Sequence, residues 1–151
     1  MVETRNYIGE FHYTVDSKGR VNLPSKFRNA RVDETVFVVT RGLDPCIYVY
    51  PLSEWNKMEN GLGNLSQLRR PDRTFLRNMT RYATHTTYDA QGRIIVPKVL
   101  LDYAKIVKKA IIIGVLNKIE IWSHESLTEY EKSTGNLTDM EYNDLAGEIY
   151  L

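Results

Sequence analysis

The sequence has a single cysteine, Cys46, among 151 residues. It cannot form an internal disulfide, which excludes a stapled secreted scaffold and fits a reducing cytoplasm. Long apolar runs are also missing. The longest, Ala110 to Leu116, has seven residues, whereas a membrane span needs roughly 20, so no membrane partner is expected. The stretch from Met1 to Asn6 has no basic head followed by apolar residues, and no signal peptide is expected. No G-x-G-x-x-G, Walker A, H-E-x-x-H or G-x-S-x-G string occurs. Catalytic residues, a cofactor, a metal and a small-molecule substrate are therefore not expected. With 42% apolar and 26% charged residues, the composition is that of a globular domain rather than a collagen-like or disordered chain.

What is present is an uneven charge. From Glu125 to Leu151 there are seven acids and one lysine, a net of −6. From Met1 to His124 there are 19 Lys and Arg against 12 acids, a net of +7. A basic body with an acidic tail suits a polyanionic partner for the body. An acidic helix on a solvated surface accounts for the same numbers.

The chain also repeats itself. Residues 12–24 read H-Y-T-V-D-S-K-G-R-V-N-L-P and residues 85–97 read H-T-T-Y-D-A-Q-G-R-I-I-V-P. At a shift of 73, His, Thr, Asp, Gly, Arg and Pro coincide. At average residue usage, the Asp, Gly, Arg and Pro matches have a chance of roughly 10⁻⁵ per register, or roughly 10⁻³ over about a hundred registers. Downstream, Val36–Val39 matches Ala110–Ile113 and Ile47–Tyr50 matches Ile119–Trp122, with a link two residues longer in the first copy. A unit of about 50 residues seldom buries enough surface to stand alone. The expectation is two copies sharing one core: residues 8–55, a helical connector 56–81, residues 82–127, and an acidic C-terminal helix or tail 128–151.

Within a copy the pattern reads strand, turn, strand, short helix, strand, turn, strand. Phe11, Tyr13 and Val15 alternate with polar neighbours, the period of a half-buried strand. Asp16 can accept backbone N–H bonds across Ser17-Lys18-Gly19, and Gly19 tolerates positive φ. Val21 and Leu23 then face the core, leaving Arg20 and Asn22 outside. Pro24 and Pro97 open helices over 25–30 and 98–105, the second with an apolar stripe of Val99, Leu100, Tyr103 and Ala104. Helices are also expected over 53–62 and 125–132, and Thr138 with Glu141 reads as a capping box.

D-x-x-G-R-[VI]-x-[LV]-P after an alternating strand resembles the AbrB/SpoVT family of swapped-hairpin DNA-binding domains. Two tandem copies in about 150 residues resemble the MraZ family of transcriptional regulators, as do Tyr48 to Trp55 and Gly114 to Trp122. The resemblance runs from about Ile8 to about residue 133. It implies a mainly β, α+β fold of two β-α-β swapped-hairpin units related by a pseudo-two-fold. It also implies a ring-shaped homo-oligomer. The implied function is binding, in the bacterial nucleoid, to short direct repeats upstream of the division and cell-wall gene cluster. The family's motif arginines match Arg20 and Arg93.

The candidate DNA-binding residues are Arg20, Arg93, Lys18, Asp16 and Asp89. An arginine beside a hairpin tip can reach phosphates or fork onto a guanine edge; an Asp–Arg pair that only ties the turn is the other reading. Lys18 sits where the second copy has Gln91, making the first copy the more basic candidate. Arg69, Arg70, Arg73, Arg77 and Arg81 form a stripe on a connector helix opposite Phe75, Leu76 and Met79. They are candidates for supporting phosphate contacts, or else a solvated face. His12 and His85 are equivalent positions that could meet and bind metal or be polar strand positions. Cys46 is a packed thiol or, less simply, a nucleophile. The function expected is sequence-specific binding of double-stranded DNA in transcription regulation, without enzymatic activity. The rival is a self-assembling structural or protein-interaction module.

Overall fold

A computed structural model describes residues 5–150. The elements run β1 (Tyr7–Thr14), β2 (Arg20–Asn22), α1 (Ser25–Ala30), β3 (Val36–Arg41), β4 (Ile47–Pro51), α2 (Leu52–Gly63), α3 (Arg70–Arg81), β5 (Thr84–Thr87), β6 (Arg93–Ile95), α4 (Lys98–Tyr103), β7 (Lys109–Leu116), β8 (Ile119–Ser123), α5 (His124–Tyr130), a π-helical Glu131–Gly135, and α6 (Asp139–Tyr150). The second copy, β5 to α5, repeats β1 to α2.

The copies are interlocked. β2 pairs with β6, not with its own neighbour β1, and Val21 faces its repeat equivalent Ile94. β1 adds to β7, and β5 adds to β3, so each copy's first strand completes the other copy's sheet. The resulting six-stranded antiparallel sheet has the order β1-β7-β8-β4-β3-β5. At its centre β4 and β8 pair with Tyr48 opposite its equivalent Glu120. Both ladders straddle a pseudo-two-fold.

Side chains alternate across the strands, and both sheet faces are covered. On one face Phe37, Val39, Ala110 and Ile112 pack with Val21, Leu23, Phe27, Ile94, Val96 and Leu100 from β2, β6, α1 and α4. On the other, Val38, Tyr48, Tyr50, Ile111 and Trp122 pack with Trp55 of α2 and Leu127 and Tyr130 of α5. Thr40 points to this second face and donates to the Met79 carbonyl of α3 at 3.0 Å. The molecule thus has a hairpin layer, a sheet and a helix layer, with one core drawn from both copies.

The expected elements are present with some shifts. α1 has the expected bounds, but α4 ends at Tyr103, because Lys105 adopts a left-handed φ of 57°. Leu100 of α4 and Ala104 just after it are buried while Val99 faces solvent; Leu101 packs in its place. The ladders also correct the repeat alignment. His12 pairs with Ile111 and His85 with Val38, so Val36 is the equivalent of Lys109, not Ala110. The extra length between the strands of the first copy is one residue, not two. A one-residue slip exchanges the two faces of a strand, and only this register puts Phe37 with Ala110 and Val39 with Ile112 in the shared core. His12 and His85 lie on β1 and β5, the opposite edges of the sheet, and do not meet. His12 instead contacts Glu10 at 2.8 Å.

The β1–β7 ladder depends on a close backbone approach. Gly9 and Gly114 face each other, and a Cβ on Gly114 would lie 2.5 Å from the Tyr7 carbonyl carbon and 2.6 Å from the Ile8 nitrogen. Backbone atoms in a ladder cannot move aside as a flexible side chain can. Gly114→Ala is therefore expected to cost about 1–3 kcal/mol, the usual range for overpacking. Urea unfolding measures it, and an unchanged midpoint would refute the close approach.

Candidate nucleic-acid interface

The two turns expected to carry the chemistry are built alike. Asp16 Oδ1 accepts the backbone N–H groups of Lys18 at 2.9 Å and Arg20 at 2.8 Å. Asp89 Oδ1 accepts those of Gln91 at 2.9 Å and Arg93 at 3.0 Å. Gly19 and Gly92 sit at φ of 78° and 77°, a conformation that favours glycine. Each aspartate then holds its arginine: Arg20 Nε donates to Asp16 Oδ2 at 2.6 Å, and Arg93 Nε donates to Asp89 Oδ2 at 3.0 Å. The Asp–Arg tie is thus real in both copies, and it fixes where each guanidinium points.

The swap of β2 and β6 brings the two turns together. Leu23 N–H donates to the Gly92 carbonyl at 2.7 Å and Val96 N–H to the Gly19 carbonyl at 2.8 Å. Arg93 Nη1 lies 3.9 Å from Asp16 Oδ2 in the other turn. The guanidiniums of Arg20 and Arg93 therefore belong to one charge cluster, with side chains 30% and 26% exposed. Arg93 is the more committed, with Nη2 also on Asp89 at 2.9 Å. Lys18 stands exposed at the first tip.

The arginine stripe is elsewhere. α3 starts with Pro71 in its first turn and keeps Met79 buried. Arg69, Arg70, Arg73, Arg77 and Arg81 are all exposed, but on the helix layer, across the sheet from the turns. Arg69 lies 3.7 Å from Asp72, Arg73 donates to the Gln67 carbonyl at 3.0 Å, and Arg81 stacks on Tyr82 at 4.9 Å. One copy cannot present the stripe and the turns on the same side of its sheet.

One residue at the site was not anticipated. Arg28 of α1 donates from Nε to the Leu23 carbonyl at 3.0 Å and lies over the Tyr88 ring at 5.7 Å. A Cβ on Gly92 would come within 2.7 Å of its Cζ. The guanidinium thus supports the second turn from below. The residues at the equivalent positions beside the first turn are Leu101, for Arg28, and Val15, for Tyr88, and there a cleft of about 400 Å3 opens between the turn and α4. The signal was in the sequence: both positions depart from the repeat together, Arg28 for Leu101 and Tyr88 for Val15.

Cys46 is fully buried in the helix-side core, and burial pushes its thiol well above the usual range. A thiol kept protonated at neutral pH is a poor nucleophile. Among the described residues no group of three or more His, Cys, Asp or Glu side chains could hold a metal ion. None of their helices is long and apolar enough to cross a membrane.

Fold and turns together define a tandem swapped-hairpin protein whose two halves share one sheet. A family model described as "MraZ protein, putative antitoxin-like" matches residues 7–78 and 79–144. The protein named Transcriptional regulator MraZ of Pediococcus pentosaceus is 44% identical over 138 residues, covering 91% of this chain and 95% of its own. That of Halothermothrix orenii is 45% identical over 143 residues, covering 95% and 96%. That of Clostridium acetobutylicum is 44% identical over 128 residues, covering 85% and 89%. The chain belongs to the MraZ family.

The turns carry a pH signature. The backbone N–H of Arg20, then its side chain, holds the Asp16 carboxyl below the usual range, and Arg93 does the same for Asp89. A lowered native value means that the contribution to stability is fully present above the unfolded value, about 3.9, and is lost as pH falls through the native midpoint. Titration of both carboxyls by NMR should give midpoints below about 3.9; midpoints at or above it would contradict the tie.

Proposed function

We propose that this protein is a sequence-specific regulator of transcription that binds double-stranded DNA through the paired turns 16–20 and 89–93, and is not an enzyme. The observation that carries this reading is the 3.9 Å approach of Arg93 to Asp16, which joins the two guanidiniums in one preorganised cluster. An arginine held by a carboxylate on one edge keeps donors on its other edge for phosphate or for the O6 and N7 of guanine. Because its orientation is already set, little side-chain freedom is lost on binding. Asp16 and Asp89 act as positioning residues, and Lys18 adds a phosphate contact at the first tip.

The relatives' names support a role in transcription. The targets that go with the family reading are short direct repeats upstream of the division and cell-wall gene cluster, met at the bacterial nucleoid in the cytoplasm. Self-association accompanies this function. β1 and β5 end the sheet, and strand edges that are not paired invite a partner. A ring-shaped homo-oligomer would array the paired turns on repeated DNA sites. The arginines of α3, being across the sheet, do not share the DNA bound by the turns of their own copy.

The two arginines differ in what they hold. Arg20→Ala should weaken binding to operator DNA by about 1–3 kcal/mol, roughly five- to 150-fold, with the thermal melt unchanged. Arg93→Ala should weaken binding and also lower the melt, since Arg93 ties both turns. DNA titration at fixed salt, read beside circular dichroism melts, measures this. Equal affinity in Arg20→Ala would remove the turn from the mechanism. Binding by the parent protein should also weaken steeply with salt; a salt-independent self-assembly with no DNA affinity would favour the interaction-module reading. Cys46→Ser should leave binding unchanged, and loss of binding in a folded variant would reopen a role for the thiol.

A further inference from the structure

Among the described residues, none of the C-terminal helix is buried against the rest of its chain. Every residue of α6 from Asp139 to Ile149 is exposed. The capping box is formed, with Thr138 N–H donating to Glu141 Oε1 at 3.1 Å and Glu141 N–H to Thr138 Oγ1 at 3.2 Å. Yet a solitary helix of 12 residues is marginal in water, and Gly147 in its interior weakens it further. A helix of this kind persists when a face of it is packed.

Its faces say against what. α6 carries Asp139, Glu141, Asp144 and Glu148 and no basic residue. At about 100° per residue, Glu141, Asp144 and Glu148 share one narrow stripe, and Tyr142, Leu145, Ala146 and Ile149 form the adjoining apolar one. α3 has the complementary charge and the same length: Arg70, Arg73, Arg77 and Arg81 against the single acid Asp72, over 12 residues. Phe75 of α3 and Leu68 just before it are exposed large apolar side chains. α6 follows α5 and so leaves from the helix layer, where α3 also lies, and residues 139–149 of it are all exposed.

We propose that α6 is an arm whose acidic stripe docks on the α3 arginines of a second copy of this chain. The proposal rests on the self-association reading above and names the surfaces that make it. The arm and its receiving surface are different patches of the chain, so the contact can run head-to-tail from copy to copy, the kind that forms rings where the rotation closes. It also assigns the α3 arginines to protein rather than DNA, and leaves the turns on the opposite layer free.

The test uses full-length protein. Asp144→Lys/Glu148→Lys reverses the arm and spares Glu141, which the cap needs; Arg73→Glu/Arg77→Glu reverses the receiving surface. Light scattering at micromolar concentration should show the parent as an oligomer and each variant alone as smaller species, with association weakened at least tenfold. Mixed in equal amounts, the two variants should reassemble, since each then offers the charge the other lacks. A variant that retains the parental mass overturns the proposal, as does a mixture that stays dissociated while circular dichroism shows both variants folded. If a reversed variant fails to fold, the neutral Asp144→Asn/Glu148→Gln protein is read by the same criterion. A parent that is monomeric defeats the self-association reading as well; an oligomeric parent with unaffected variants defeats only the arm.

Discussion

Three residues on each side, Arg20-Val21-Asn22 and Arg93-Ile94-Ile95, form the β2–β6 ladder, and the rest of the molecule depends on it. Neither strand pairs within its own copy. Val21 and Ile94 meet at the pseudo-two-fold, and burial of both, with Leu23 and Val96, under the six-stranded sheet rewards the exchange. Separated, either copy would expose an apolar face and the edge of a third strand. The same exchange sends β1 to β7 and β5 to β3, which is why the two halves have one core.

The exchange also explains the site. Turn geometry belongs to local chemistry: an Asx-type acceptor, a glycine at positive φ, and an arginine returning to the aspartate. Adjacency of the turns belongs to the swap. Local chemistry alone would give two separate Asp–Arg ties; the swap sets them within ion-pair range. The two halves are not equal, however. Arg28 and Tyr88 stiffen the second turn, while the first has Leu101, an open cleft and the exposed Lys18. A more basic first turn and a braced second turn would suit unequal roles on the DNA proposed to meet them.

Local features were legible in the sequence because short-range rules determine them. The Asp-to-Gly turns, the proline-opened helices, the alternation at Phe11 and Tyr13 and the Thr138–Glu141 cap each depend on a few neighbouring residues. The repeat itself disclosed the shared core. What was not legible is non-local. The register of β3 and β7 was misread by one residue, since Val36–Val39 and Ala110–Ile113 are equally apolar on both sides and only partner strands tell one face from the other. Val99 and Leu101 exchange places for a similar reason: α4 is buried on the side that faces β3, which no pattern of six residues specifies. The arginine stripe was correctly placed on a helix, but the layer holding that helix depends on Thr40 and Met79, 39 residues apart. The histidines are equivalent positions on polar strand faces, and two-fold equivalence puts them at opposite edges of the sheet.

The central claim is that one surface, made by both turns together, meets the DNA. Backbone amide shifts followed by NMR during titration with a duplex containing the direct repeats test it most directly. The account predicts that the perturbed amides cluster at residues 16–22 and 89–95, from both copies at once, with α3 and α6 unmoved. Perturbations concentrated on α3, or confined to one turn, would contradict it.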